Sequence, residues 1–359
     1  MSYEKDKPYN DLPLLPPRAP LETLRTLKKA IGAHKALAGL KGAGNLIPNQ
    51  TILLRSIVLQ EARLSSEIEN IVTTNDKLYK AFSNDDGGYD LHTKEVLRYQ
   101  DALWHGYTQL ESGRPLSTSL FVEIVNSIRQ NEAGIRTQAG TCIVNLSGDK
   151  IYTPPDGAER LRGLLENLSQ FIYANDDLDP LIKMAMLHYQ FEAIHPFSDG
   201  NGRTGRIINI LYLVSQELID VPVLYLSRYI IDHKAAYYRG LKRVTEDQAW
   251  EEWVLYLLDA VEQTAIETRD KILTIRRVLD EALVFARESV PKVYSKELIE
   301  LIFQQPYCKI QSVEQAGIAK RQTASFYLQE LERIGLLRGV KIGRERLYVN
   351  DALYGVLTA

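Results

Sequence analysis

His195-Pro-Phe-Ser-Asp199-Gly-Asn-Gly-Arg203-Thr-Gly-Arg206 is the stretch that decides how the rest of this chain is read. Gly200, Gly202 and Gly205 let main-chain amides approach a ligand with no side chain in the way. The segment runs into the apolar helix Ile207 to Val214, and unpaired amides at a helix start favour negative charge. Arg203 and Arg206 add two guanidinium forks suited to phosphate oxygens. Asp199 is a hard oxygen ligand of the kind Mg²⁺ takes alongside substrate phosphates. His195 is the one group here whose ordinary titration falls near neutrality, which makes it the natural general base. Twelve residues thus hold what is needed to bind a nucleotide polyphosphate and deprotonate a nucleophile.

Upstream, Asp179-Pro180 reads as an N-cap and first-turn proline opening a helix through Met184, Leu187 and Phe191. Thr141 to Tyr152 breaks the helical rhythm, with β-branched and aromatic residues on both sides of Ser147-Gly148-Asp149. That pattern predicts a hairpin, closed by Pro154-Pro155 and leaning on helices for stability. Residues 50–72 space Ile57, Leu64, Ile68 and Ile71 as a helix does, with Arg55, Glu61, Arg63 and Glu67 between them. The first twenty residues carry five prolines and predict an extended arm, with Leu12, Leu14 and Leu15 packing onto their own domain.

Downstream, a long helix is predicted across Ala249 to Arg287. A separate unit follows: a helix over Ser295 to Gln304, a second opened by Ser312-Val-Glu-Gln315, a turn at Gly317, and a third over Lys320 to Ile334. Leu336 to Val349 then alternates around Gly343-Arg-Glu-Arg as a β-wing, so the unit resembles a winged helix.

The chain has 359 residues, 45% hydrophobic and 25% charged, an ordinary globular composition that excludes a disordered chain. Lys and Arg total 43 against 46 Asp and Glu, so 43 − 46 gives −3 and argues against a chain coated in basic charge. Cys142 and Cys308 are the only cysteines, too few for a disulfide framework or a cysteine-built zinc site. No apolar run approaches a membrane span, and the charged N-terminus is unlike a signal region. A cytoplasmic protein is expected.

The 195–206 segment matches the signature His-Pro-Phe-x-Asp/Glu-Gly-Asn-Gly-Arg-x-x-Arg at every defined position. Over most of residues 21–260 the sequence resembles the Fic (filamentation induced by cAMP) family. The resemblance implies a mainly α fold: a Fic-type helical core with a β-hairpin flap, plus a C-terminal winged helix-turn-helix domain. It implies the following divisions: a helical N-terminal region over 1–110, a catalytic core over 111–260, a linking helix over 261–290 and a winged-helix domain over 291–359. Removing residues after about 290 is expected to leave a core that still binds nucleotide.

The implied activity is transfer of AMP from ATP to a Ser, Thr or Tyr hydroxyl of a target protein, itself included, with pyrophosphate leaving. His195 would take the hydroxyl proton, and Asp199 would hold Mg²⁺. Asn201 and the amides around Gly200 and Gly202 would stabilise the α-phosphate, while Arg203 would hold the β-phosphate. Thr204, Gly205 and Arg206 complete the ATP-binding run. The hairpin would align an extended target segment by strand addition, with Lys150, Ile151 and Tyr152 bordering the nucleotide. Tyr237 and Tyr238 resemble aromatics that border adenine.

Ser65-Ser-Glu-Ile-Glu69-Asn70 fits the family's inhibitory motif, Ser/Thr-x-x-x-Glu-Gly/Asn. Ser65, Glu69 and Asn70 would then form an inhibitory element within the 50–72 helix. Glu69 would pair with Arg206 and keep the γ-phosphate from seating. Such a glutamate can also activate water to remove AMP.

Two rival readings stay open. One is a metal-dependent phosphohydrolase, which a single close His and carboxylate serve poorly. The other is a nucleotide-sensing DNA-binding regulator using Lys320, Arg321, Thr323, Arg344 and Arg346. Residues 292–351 hold ten Lys and Arg against seven Asp and Glu, a modest +3, so a protein partner is expected ahead of DNA. Homodimerisation stays open.

Overall fold

The computed structural model describes residues 3–44, 50–83, 88–132, 134–144, 147–342 and 345–359. The chain runs α1 (Leu24–Gly44), α2 (Gln50–Ile68), α3 (Asn75–Phe82), α4 (Leu91–Glu111) and α5 (Thr118–Arg129), then a hairpin of β1 (Ile143–Val144) and β2 (Lys150–Tyr152). There follow α6 (Ala158–Ile172), α7 (Pro180–Ile194), α8 (Asn201–Ser215), α9 (Leu226–Asp232), α10 (Lys234–Asp247) and α11 (Trp250–Ser289). The last part is α12 (Lys296–Ile302), β3 (Tyr307–Cys308), α13 (Ile310–Gln315), α14 (Arg321–Arg333), β4 (Arg338–Ile342), β5 (Glu345–Val349) and α15 (Asp351–Thr358).

The apolar composition of α7 makes it the central helix. Almost every residue from Leu181 to Ile194 is buried, and α1, α6, α8 and α11 pack around it. Asp179 caps it as expected, its Oδ1 accepting from Leu181 N–H at 2.9 Å. Lys183 is buried too, but its stem lies in the core while its ammonium reaches the Ala174 carbonyl and Asp176. Trp253 of α11 donates from its indole to the Ala185 carbonyl at 2.7 Å, tying the longest helix to the centre. At 40 residues, α11 is about 60 Å long.

Four expectations are corrected. The helix expected over 50–72 ends at Ile68, because Asn70 turns left-handed at φ 63° and Ile71 N–H closes back on the Ser66 carbonyl at 3.0 Å. Glu61, spaced as a solvated residue, is 1% exposed. In the arm, Leu12 and Leu15 are buried but Leu14 is 57% exposed. Gln190 donates to the Pro13 carbonyl and Leu15 N–H to Asn167, which fixes the backbone with 12 and 15 inward. Ser312 does not open its helix: α13 starts at Ile310, and Ser312 Oγ accepts from Lys309 N–H at 3.4 Å.

The hairpin forms where expected, with Ile143 opposite Tyr152 and a left-handed Gly148 in the turn. Asn145 and Leu146 lie outside the described residues. In the C-terminal unit, the expected helices and wing are joined by a short strand, β3, giving an antiparallel sheet of order β3-β5-β4. Gly343 and Arg344 of the wing are outside the described residues. This unit rests on the helices that carry the site. Ser56 of α2 donates to the Gln304 carbonyl at 2.9 Å, Tyr307 OH donates to Asp76 at 2.5 Å, and Tyr79 and Tyr354 meet edge to face. No helix among the described residues is long and apolar enough to cross a membrane.

Candidate active site

His195 is the C-cap of α7, held left-handed at φ 47° and ψ 59°. A non-glycine residue keeps that conformation only when its surroundings enforce it. Arg136, 6% exposed, does so: its Nε donates to the His195 carbonyl at 2.9 Å, and its own N–H donates to the Pro196 carbonyl at 2.9 Å. Its guanidinium also binds the Pro155 carbonyl and Asp156. The His195 Nδ1 is buried. Burial and the nearby Arg136 charge push the imidazole down to about 4, so at neutral pH it is an uncharged base.

The loop after His195 is braced from within. Asn201 accepts from Phe197 N–H and donates to the Phe197 carbonyl, both at 2.8 Å. Asn201, expected at the α-phosphate, is 2% exposed and braces the loop through these two hydrogen bonds. Gly200 is left-handed at φ 83°, the conformation that lets the loop turn into α8. Asp199 is half exposed, accepts from Gly200 N–H at 2.6 Å and pairs with Arg129. Arg203 is 2% exposed and binds Glu95 of α4 at 2.5 Å. Thr204 Oγ1 is buried with no partner.

Arg206 stands at the junction of α8 and α2, 1% exposed. Its Nε donates to Ser65 Oγ and its Nη2 to the Ser65 carbonyl, each at 2.8 Å. Nη2 also donates to Glu69 Oε1 at 2.8 Å, a single contact. Burial alone would raise the Glu69 carboxyl, but the Arg206 charge and hydrogen bond outweigh it and hold it below its usual range. A Cβ on Gly202 would run into Glu69 Oε1, so only glycine leaves the carboxylate room over the first turn of α8. Asn70 supplies the left-handed residue that ends α2 and is exposed.

These groups border a cavity of about 380 Å³. Glu69, Gly202 and Arg206 meet at one part of its wall, Tyr3, Ile151 and Tyr152 meet at another, and His195, Glu192, Tyr189, Leu241 and the cationic Arg239 and Lys242 also line it. Tyr237 and Tyr238 line it too, Tyr237 buried with its hydroxyl 2.9 Å from His188 Nε2. His188 itself is packed, stacked on Trp253 and pushed down to about 3 by burial. Asp199, Gly200, Asn201, Arg203, Thr204, Gly205 and the exposed Lys150 do not line the cavity.

Sequence reading missed several contributors. Arg136, Arg129 and Glu95 carry no motif and lie 59 or more residues from His195, Asp199 and Arg203, the motif residues they hold. Glu192 lines the cavity with Oε1 buried and unpartnered, and burial pushes its carboxyl up to about 7. Its place one turn before His195 was the available signal. Glu61 is also pushed up to about 7 by burial, and accepts from Ser227 N–H at 3.0 Å and from the Ser227 hydroxyl.

Three family models match the chain: "Fic/DOC family N-terminal" over residues 27–108, "Fic/DOC family" over 90–213, and "Protein adenylyltransferase SoFic-like, C-terminal domain" over 278–353. A probable protein adenylyltransferase of Aquifex aeolicus is 34% identical over 83 residues, 23% of this chain and 25% of that protein. Protein adenylyltransferase fic-1 of Caenorhabditis briggsae is 34% identical over 83 residues, 22% of this chain and 15% of the relative. The matched stretch thus spans a quarter or less of these relatives' length. The fold is similar to that of a Fic family protein from Desulfovibrio desulfuricans, with TM-score 0.57 and 19% identity over 91% of this chain and 96% of that one. It is also similar to a Fic-domain-containing signaling protein from Bacteroides thetaiotaomicron, with TM-score 0.54 and 18% identity over 68% of this chain and 97% of that one. With its N-terminal, central and C-terminal regions each matched and its fold shared with solved Fic structures, the chain belongs to the Fic/DOC family.

Proposed function

We propose that the protein is an adenylyltransferase that moves AMP from ATP to a Ser, Thr or Tyr hydroxyl of a protein, itself included. The observation that carries this reading is one cavity bordered by an uncharged His195 and by Arg206, with aromatic side chains in its lining for a base. His195 accepts the hydroxyl proton as the oxygen attacks the α-phosphorus. The bond from that phosphorus to the β-bridging oxygen breaks, and pyrophosphate leaves. The amides at the start of α8 and the Arg206 guanidinium attract the triphosphate. Arg203, paired with Glu95, becomes a β-phosphate ligand only by changing partner.

Asp199 suits Mg²⁺: it is a hard carboxylate at a helix start, 54% exposed and so open to water ligands, with Arg129 as the partner to be displaced. Bound there, Mg²⁺ would neutralise charge on the phosphates. Glu69 is the inhibitory residue in this reading, because it holds the arginine that the γ-phosphate needs. With product present, the same carboxylate can activate water for AMP removal. The protein acts in the cytoplasm, and its C-terminal winged helix serves protein contacts. In that unit Arg338 pairs with Asp351 and Arg346 with Glu332, leaving less free basic charge for DNA. A two-metal phosphohydrolase is disfavoured, since no group of three His, Cys, Asp or Glu is placed for a metal among the described residues.

The test is incubation with ATP labelled at the α-phosphate, with and without cell lysate, followed by mass spectrometry of labelled proteins. Label on Ser, Thr or Tyr supports the reading. Free AMP with no modified protein favours the phosphohydrolase.

A further inference from the structure

The N-terminal arm does more than pack. Past its anchor at Leu12 and Leu15, residues 3–10 turn back across the hairpin. Tyr9 N–H donates to the Thr153 carbonyl at 3.0 Å, and Thr153 Oγ1 donates to the Lys5 carbonyl at 2.6 Å. Asp156 N–H donates to Asn10 Oδ1 at 2.9 Å. Tyr3 OH donates to the Ile151 carbonyl at 3.3 Å. The Tyr3 ring lies over Tyr152, with centroids 5.9 Å apart and planes 24° apart, while Tyr9 meets both rings edge-on. Tyr152 is fixed from the other side by its hydroxyl, which donates to the Ala193 carbonyl at 2.8 Å. The arm thus sets Tyr3 against the cavity.

Its position along the cavity follows from its neighbours. With polyphosphate at Gly202 and Arg206, a base is left the remaining lining, where Ile151, Tyr152, Tyr189 and Leu241 offer apolar and aromatic surface beside Arg239 and Lys242. Tyr3 stands with that second group, through its contacts with Ile151 and Tyr152. Aromatic faces and edges are what a flat, weakly polar ring packs against.

We propose that Tyr3 is a wall of the base-binding half of the cavity, which makes the N-terminal arm part of the nucleotide site. This deepens the adenylyltransferase reading and rests on its assumption that a nucleotide fills the cavity. In the bound state Tyr3 and Tyr152 together bound the base and limit its size. The triphosphate touches neither.

The test uses the full chain with any tag at the C-terminus and a Glu69→Gly background that opens the phosphate end. Calorimetry compares Mg²⁺-ATP with Mg²⁺-tripolyphosphate, which carries the charge but no base. Tyr3→Ala is expected to weaken ATP by roughly tenfold, a typical loss for one base–aromatic contact, and to leave tripolyphosphate within about twofold. Tyr3→Phe, which keeps the ring and loses the Ile151 hydrogen bond, is expected to retain ATP affinity. Unchanged ATP binding in Tyr3→Ala overturns the proposal. So does an equal loss for both ligands, which marks a general disturbance of the site, and so does a Tyr3→Phe loss matching that of Tyr3→Ala. If the Glu69→Gly parent binds tripolyphosphate but not ATP, the nucleotide reading itself falls, and the role of Tyr3 with it.

Discussion

Replacing Glu69 by glycine should raise the initial rate of AMP transfer. Arg206 is 1% exposed and makes three hydrogen bonds, two to Ser65 and one to Glu69. Only the last comes from a charge that competes with phosphate. A hydrogen bond to a charged group is worth about 1.5–3 kcal/mol, and the Glu69 side chain is 37% exposed, so solvent screens it. The lower end, about 1.5 kcal/mol, is the appropriate figure for a single contact, and it corresponds to roughly tenfold in the productive fraction. The two Ser65 contacts should keep Arg206 in place, so the variant should lose no more than about 1–2 kcal/mol of stability. Glu69→Asp should give an intermediate rate, since the shorter carboxylate no longer reaches Nη2 directly. The assay is the initial rate with α-labelled ATP and fresh acceptor, before product accumulates for any removal reaction. An unchanged or lower initial rate in Glu69→Gly, with melting temperature and ATP binding preserved, would refute the competition argument.

His195→Ala should lower transfer by about 10²–10⁴-fold while ATP affinity by calorimetry stays within a few-fold, because the base acts on the acceptor rather than on the phosphates. With the imidazole pushed down to about 4, His195 is an unprotonated base above that pH and loses its function as pH falls through it. The acid limb of kcat/KM should therefore lie well below the ordinary histidine value, and a limb at 6.5 would contradict the burial argument. Asn201→Ala removes two hydrogen bonds to Phe197 and should cost about 2 kcal/mol in denaturant unfolding; a loss of rate with unchanged stability would place Asn201 at the phosphate instead. Deleting residues after 290 removes the hydrogen bonds to Ser56 and Asp76, about 1 kcal/mol each together with apolar burial, so the remaining core should melt measurably lower.

Local signals made much of this protein legible. The Asp179-Pro180 cap forms as read, and the apolar helix after the glycine run forms too, although it begins earlier, at Asn201, and takes in Gly202 and Gly205. Ser65, in the last turn of α2, and Glu69, just past its end, are four residues apart, and both reach Arg206. What was not legible depends on distant contacts. Glu61 has the spacing of a surface residue, yet Ser227, 166 residues away, takes it into the core. Arg136 and Glu95 are ordinary charged residues until the fold sets them beside His195 and Arg203. The place of Asn201 in the motif does not reveal its bracing role, which comes from two hydrogen bonds to Phe197 in the folded loop. Leu14 failed for a smaller reason: composition marks an arm as apolar, but hydrogen bonds to Pro13 and Leu15 decide which leucines turn inward.

The central claim is that the α-phosphoryl group, with its adenosine, is what moves to protein. The most direct measurement gives Glu69→Gly protein ATP labelled either at the α- or at the γ-phosphate, in parallel, and counts label on acid-precipitated protein. Label from the α-position alone, absent in a Glu69→Gly, His195→Ala double variant, is the predicted result. Label from the γ-position, or α-label that is recovered only as free AMP, would contradict it.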